Sequence, residues 1–319
     1  MAAPPGPQGR AQAPLLLLGV AVVIFGTGYW PTAVAAEHGP TLMVTALRLV
    51  TSALALLAIA MVLQSQLPRG RLLGWAILTG VLMVAVFHWG LTEAIARAGP
   101  GNTAILVNTN PLMVLVLAWI FLRERLSPLG VLGLVTAFAG VALMVSSQLG
   151  GSVDTTQLLL GSALALVAAL SWAVGVLIVR SLSQRPGGID MVSFTTLQFF
   201  VGSLLLAPIA FAIEGTSGTD WGSDSFWAAT VWTGPGAAFA VLFFYVALKQ
   251  LPAAKTSSAL FLVPAVAVVV EVARGSTPEA VVLAGMFVAV AGVALAVLPR
   301  EQVGALMPFL RRHFPGSSS

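Results

Sequence analysis

The 319-residue chain has no cysteine, three histidines and little charge, with 15 Lys and Arg and 11 Asp and Glu, or 8% of its residues. Without cysteine there are no disulfide staples, thiolate metal sites or thiol nucleophiles, and three histidines offer little for a metal centre. A soluble globular domain carries about 25% charged residues. The scarcity of charge therefore excludes an ordinary cytosolic enzyme, and the apolar content excludes a disordered chain. What is abundant is apolar: 58% of residues are hydrophobic, with 32 glycines and 19 prolines and a mean hydropathy of +0.98. This composition defines an all-α integral membrane protein that crosses the bilayer repeatedly. A pI near 10.3 would suggest nucleic acid in a soluble chain. Here the basic residues report membrane orientation, and no nucleic-acid partner is expected.

A bilayer-crossing helix needs about 17–25 mostly apolar residues. Cut at charges, prolines and polar clusters, the sequence predicts ten spans, at 15–36, 41–63, 72–95, 102–122, 129–147, 158–179, 191–213, 226–248, 256–273 and 280–298. The longest connection, 214–225, is too short for a soluble domain. With the amino terminus inside, twelve of the fourteen basic residues outside spans fall on the inner side, leaving Arg97 and Arg274 outside and Arg48 within a span. Most loop acids fall on the outer face, so both termini, the tails 1–14 and 299–319, are expected in the cytoplasm of a multi-pass cell (plasma) membrane protein. Arg10, the apolar run from Leu15 and the small residues Ala33 to Ala36 also fit a cleavable signal peptide. An internal repeat argues against its removal.

The string GLVTAFAGVAL at 133–143 matches GMFVAVAGVAL at 285–295 in seven of eleven residues, at an offset of 152. Pro111 and Pro264, like Ala94 and Ala247, are 153 apart, and Gly19 and Trp30 share the eleven-residue spacing of Gly161 and Trp172. The first span therefore corresponds to the sixth, and the chain divides into 15–147 and 158–298. Five spans per half place the second copy in the opposite sense across the bilayer. The fold expected is ten transmembrane helices in two inverted five-helix repeats, an architecture common among secondary transporters.

The segment NPLMVLVLAWIFLRERLSPLGVLGLVTAFAGVAL at 110–143, Arg48 within TALRLV, and SWAVGVLIVR from Ser171 resemble the EamA-type members of the drug/metabolite transporter superfamily. The resemblance covers 15–298 and implies two EamA repeats that export small metabolites, commonly amino acids. The second half departs from the pattern, with Arg274, Gly275 and Ser276 where a Leu-Gly-Glu turn is expected.

Prolines interrupt three spans. Pro111 follows Asn108, Thr109 and Asn110; Pro235 lies between Gly234 and Gly236; Pro264 follows Thr256, Ser257 and Ser258. Each is either a hinge on a substrate path or a static packing kink. Charged groups within spans are costly and face an interior or one another, so Arg48 either contacts substrate or pairs with Glu93 or Glu271. Those two acids could equally be solvated at the interface. His88 is either a proton-coupling group, since histidine titrates near physiological pH, or a structural hydrogen-bonding residue. Tyr29, Trp30, Trp89, Trp172, Trp232 and Tyr245 fall on the spans that the resemblance places around a central cavity. Asn108, Asn110, Ser171, Thr195 and Gln198 would add placed polar groups. Trp75, Trp221 and Trp227 are read as interfacial belt residues. Spans five and ten carry glycines two turns apart, suited to close helix packing or a homodimer contact.

The leading expectation is a secondary transporter that exports a small amphipathic metabolite, with an amino acid as the first guess. No cofactor is expected. A membrane-embedded enzyme is the alternative from another class, but Gly-x-Ser-x-Gly, His-Glu-x-x-His and a phosphate loop are all missing. A multidrug exporter without an amino-acid role is the other reading.

Overall fold

The computed structural model describes residues 7–123, 128–146, 154–273, 275 and 279–297. Within these residues every regular element is a helix. In hydrocarbon each backbone N–H and C=O must be satisfied internally, and a helix does this along a single segment. Seven helices are long and apolar enough to cross a bilayer: Ala13–Glu37, Thr41–Val62, Arg71–Gly99, Thr155–Ser183, Met191–Ile213, Asp224–Gln250 and Ala253–Val270. Three shorter apolar helices complete the set, at Asn110–Leu122, Pro128–Leu143 and Ala280–Ala296.

The elements in chain order are α1 (Pro7–Glu37), α2 (Thr41–Val62), α3 (Arg71–Thr79), α4 (Phe87–Val107), α5 (Asn110–Leu117), α6 (Pro128–Ser146), α7 (Thr155–Ser183), α8 (Met191–Ile213), α9 (Asp224–Gln250), α10 (Ala253–Ser258), α11 (Val263–Ala273) and α12 (Ala280–Val297). A π-helical stretch, Gly80–Val86, joins α3 to α4, and a 3₁₀ turn, Ala259–Leu262, joins α10 to α11. Among the described residues, the N-cap residue's own side-chain oxygen caps three helix starts. Asp154 accepts from Thr156 N, Asp190 from Val192 N and Ser223 from Phe226 N, which satisfies N–H groups that have no partner inside the helix. Inside the spans, buried threonines donate to the carbonyl one turn back, as Thr45 does to Thr41, Thr79 to Trp75 and Thr92 to His88. No lone hydroxyl is thereby left in the apolar core at these positions.

The helices pair in couples that mirror the sequence repeat. Span one packs on span eight (α1 with α9), and span six packs on span three (α7 with α4). Likewise α1 meets α11 as α7 meets α5, while α2 packs on α8 and α6 on α12. The α6–α12 contact explains the glycine spacing. A Cβ on Gly133 would lie 2.5 Å from Ala296 N and 2.7 Å from Gly292 O, and one on Gly140 would collide with the backbone of Ala289. The glycine faces of spans five and ten thus meet each other within one chain.

Span four is broken rather than merely bent. After a sharp turn at Gly99 (φ 79, ψ 158), between spans three and four, span four runs as helix to Val107, breaks at Asn108–Thr109, and restarts as α5 with Pro111 in its first turn. Proline lacks the N–H that would continue the ladder and fits an N-terminal position without cost. In span nine the corresponding Pro264 is the second residue of α11, just past the 3₁₀ turn. Pro235 differs, lying inside a helix that runs unbroken from Asp224 to Gln250, so the expected hinge there is not a break in α9.

Candidate functional site

The interruptions of spans four and nine border one cavity. Its wall takes Phe25, Tyr29 and Thr32 from α1, Arg48 from α2, and Phe87, His88 and Leu91 from α4. Asn108 and Asn110 come from the break in span four, Trp172 from α7, Trp232 and Thr233 from α9, and Leu260 and Val263 from span nine. Elements of both sequence halves therefore contribute. The volume is about 90 Å³, well below the roughly 300–1,000 Å³ of pockets that hold drug-sized ligands. Only a small molecule fits this conformation.

One end of the cavity is aromatic. Trp172 packs edge-on to Phe25 with ring centroids 6.1 Å apart, and lies 4.9 Å from Phe87 and 5.7 Å from Phe244. Three large rings hold the indole in place, and its Nε1 donor is buried without a partner. His88 Nδ1 lies 3.0 Å from Val84 O. A carbonyl only accepts, so Nδ1 carries a proton and a neutral ring leaves Nε2 as the acceptor.

Arg48 is the charged centre. It is 6% exposed, and its Nε and Nη1 have no hydrogen-bond partner. Its backbone is held tightly: its carbonyl accepts from Thr51 and Ser52 hydroxyls at 2.9 and 2.7 Å. Gly234 of α9 lies so close that a Cβ there would stand 2.6 Å from the Arg48 carbonyl oxygen. The small residue before Pro235 thus sets how near α9 comes to Arg48.

The expected pairing of Arg48 with Glu93 is not formed. Glu93 Oε1 instead meets Arg97 Nη2 at 2.6 Å and Nε at 2.7 Å, one helical turn away, and its Oε2 accepts from Thr41 Oγ1. Arg97 Nη1 in turn donates to Gln157 Oε1 at 2.8 Å. This network ties α2, α4 and α7 together at one end of the bundle. Glu214, read from the sequence only as a loop acid, accepts from Leu42 N at 3.3 Å and Met43 N at 2.7 Å, so α8 caps the start of α2. At the other end of α7, Arg180 donates to the Leu248 carbonyl at 2.8 Å. The Glu271 side chain lies outside the described residues.

Of the aromatic and polar residues proposed from sequence, Tyr29, Arg48, His88, Asn108, Asn110, Trp172 and Trp232 come together at the cavity. Trp30 and Trp89 do not, being 48% and 36% exposed on the outer surface. Gln198 and Tyr245 are buried away from it. Gln198 Nε2 donates to Thr79 Oγ1 at 2.7 Å, and Tyr245 Oη donates to Met83 Sδ at 3.0 Å. Both brace α8 and α9 against span three. Phe25, Thr32, Phe87 and Thr233 were missed. Phe25, Tyr29 and Thr32 follow an i, i+4, i+7 spacing, so the helical face shared with Tyr29 was available as a signal.

A polytopic helical bundle with broken helices around a small mixed-polarity cavity belongs to the class of membrane transporters. The EamA-like transporter family matches this chain twice, at residues 12–146 and 159–298, and the chain belongs to that family. It is 27% identical over 255 residues to the uncharacterized transporter YvbV of Bacillus subtilis, covering 80% of this chain and 81% of that protein. Identity to the uncharacterized transporter YoaV of the same organism is 25%, over 79% of this chain and 86% of that one. The uncharacterized inner membrane transporter YedA of Escherichia coli is 27% identical across 61% of this chain and 63% of its own length. A solved crystal structure superposes with a TM-score of 0.74 at 19% identity, covering 90% of this chain and 98% of that one, so the fold is shared.

Proposed function

We propose that the protein is a secondary transporter that exports small amphipathic metabolites, amino acids or related compounds first among them, by alternating access. The observation that carries the reading is the cavity itself. It lies where span four breaks ahead of Pro111 and span nine tightens into a 3₁₀ turn ahead of the repeat-related Pro264, and both halves line it. Broken helices at membrane depth are tolerated where they line a cavity, and a site between repeats can be exposed to each face in turn as the halves rock. In this reading the ten apolar segments are ten spans in two inverted five-helix repeats, 15–147 and 158–298. Both termini are cytoplasmic in the cell membrane, and the prolines at 111 and 264 act as hinges. A homodimer across α6 and α12 would then use their exposed outer faces, including Val131, Leu132, Phe287 and Val290.

The test is uptake into proteoliposomes containing the full chain, against pooled amino acids, related carboxylates and drugs, with and without a pH gradient. Substrate-dependent flux above that of empty vesicles supports transport. Flux at background across the panel overturns it, and flux confined to structurally unrelated drugs favours the multidrug reading.

A further inference from the structure

The polar atoms left without partners at the cavity are mostly donors. Arg48 contributes Nε and Nη1, Trp172 contributes Nε1, and Asn110 Oδ1 is the acceptor. All three residues line the same cavity, and all are at least nine-tenths buried, at 6%, 2% and 4% exposure. Among the described residues no aspartate or glutamate borders the cavity, and the nearest candidate on α4, Glu93, is engaged by Arg97 and Thr41. His88 and Tyr29 are the other titratable groups on the wall; protonation of His88 would add a second positive charge, and the Tyr29 phenol is neutral at physiological pH, so neither supplies a negative one. The rest of the wall is apolar or aromatic apart from Asn108, Thr32 and Thr233, and the two threonine hydroxyls donate to the Gly28 and Ala229 carbonyls one turn back.

A buried guanidinium without a counter-charge is costly. Its cost falls when an anion with planar, bidentate geometry enters, and a carboxylate has that geometry. We propose that the cavity selects small monocarboxylates with a compact apolar body, the carboxylate held by Arg48 with the indole N–H of Trp172. A neutral α-hydroxyl that donates to Asn110 Oδ1 is favoured, whereas an α-ammonium meets no opposite charge. This inference deepens the transport reading and takes its site from it. It narrows the substrate class from amino acids to carboxylates as such, with 2-hydroxy acids ahead of amino acids and amines excluded.

The experiment compares four probes on one branched skeleton: 2-hydroxy-4-methylpentanoate, 4-methylpentanoate, leucine and 3-methylbutylamine. Binding to the purified full chain in detergent is read by titration calorimetry, and flux of the same probes is read in proteoliposomes. The hydroxy acid is expected to bind at least ten-fold more tightly than leucine, with no binding by the amine. Arg48→Gln should erase the preference for acid over amine, and Arg48→Lys should keep it at reduced affinity, because lysine retains the charge but not the fork. Ranking by the wild-type protein needs no variant, so a misfolded Arg48→Gln leaves the test decisive. The inference is overturned by an amine that binds as tightly as the acid, by leucine tighter than the hydroxy acid, by no binding of any carboxylate, or by a folded Arg48→Gln that retains the acid preference. Acid-selective binding, with flux at background for these probes and for the wider panel, would uphold the carboxylate site and remove the transport reading. Flux of leucine or amine without acid binding would do the reverse.

Discussion

Glu93 and Arg97, one helical turn apart on α4, form an ion pair with Glu93 Oε1 2.6 Å from Arg97 Nη2. The pair takes from Arg48 an acid that the sequence offered it. Arg48 is left facing the cavity, while Thr41, Glu93, Arg97 and Gln157 form a latch across α2, α4 and α7.

The latch predicts a change in access. Glu93→Gln weakens the charge-assisted bonds to Arg97 and loosens this end of the bundle. The chain has no cysteine, so a single cysteine placed at cavity residue Thr32 can be labelled without background. A charged thiol reagent should label it several-fold faster in the Glu93→Gln background. An unchanged rate would mean that the network does not restrict entry at that end.

Trp172 is both packing and donor, and two substitutions separate these roles. Trp172→Ala removes a ring in contact with Phe25, Phe87 and Phe244 and should cost about 3–5 kcal/mol of stability. Trp172→Phe keeps most of the ring contact but loses Nε1. It should unfold near the wild-type temperature and lower substrate flux at least several-fold. Wild-type flux from a folded Trp172→Phe would assign the residue to packing alone.

Gln198 and Tyr245 should behave as braces. Gln198→Leu loses one buried hydrogen bond to Thr79, which keeps its own bond to the Trp75 carbonyl. It also removes Gln198 Oε1, which is itself unpartnered. Tyr245→Phe loses the contact with Met83 Sδ and the interaction of its hydroxyl with the Gln198 side chain. Each change should alter stability by about 1 kcal/mol or less and leave flux within two-fold of wild type. A ten-fold loss of flux in either variant would return that residue to the transport path.

The α6–α12 seam should be intolerant of added bulk. Gly133→Val places a branched side chain where a Cβ alone would sit 2.5 Å from Ala296 N. The helices must part, at a cost on the order of 1–3 kcal/mol or more. Phe287→Ala on the exposed face of α12, where the ring is 70% exposed, should change the melting temperature little. Thermal unfolding of the two variants in detergent checks the contrast.

The sequence by itself determined that this chain is a helical membrane protein, because scarce charge and long apolar runs leave no other way to satisfy its backbone. It also marked the repeat and the prolines at 111 and 264, since each is a local property of residue type and spacing. Tertiary structure decided which face each side chain shows. Trp30 and Trp89 point outward while Trp172 is buried, although all three are tryptophans on apolar helices, because helix rotation follows from packing against neighbours. It also decided the partners. Glu93 is bound by Arg97 and Thr41, Glu214 caps α2 from the far end of α8, and Gln198 reaches Thr79 across 119 residues. Hydrogen bonds and ion pairs act over a few ångströms, and only the fold sets which distant residues come that close. Arg48 was legible as a charge in a span, but that no acid among the described residues borders the cavity it faces was not.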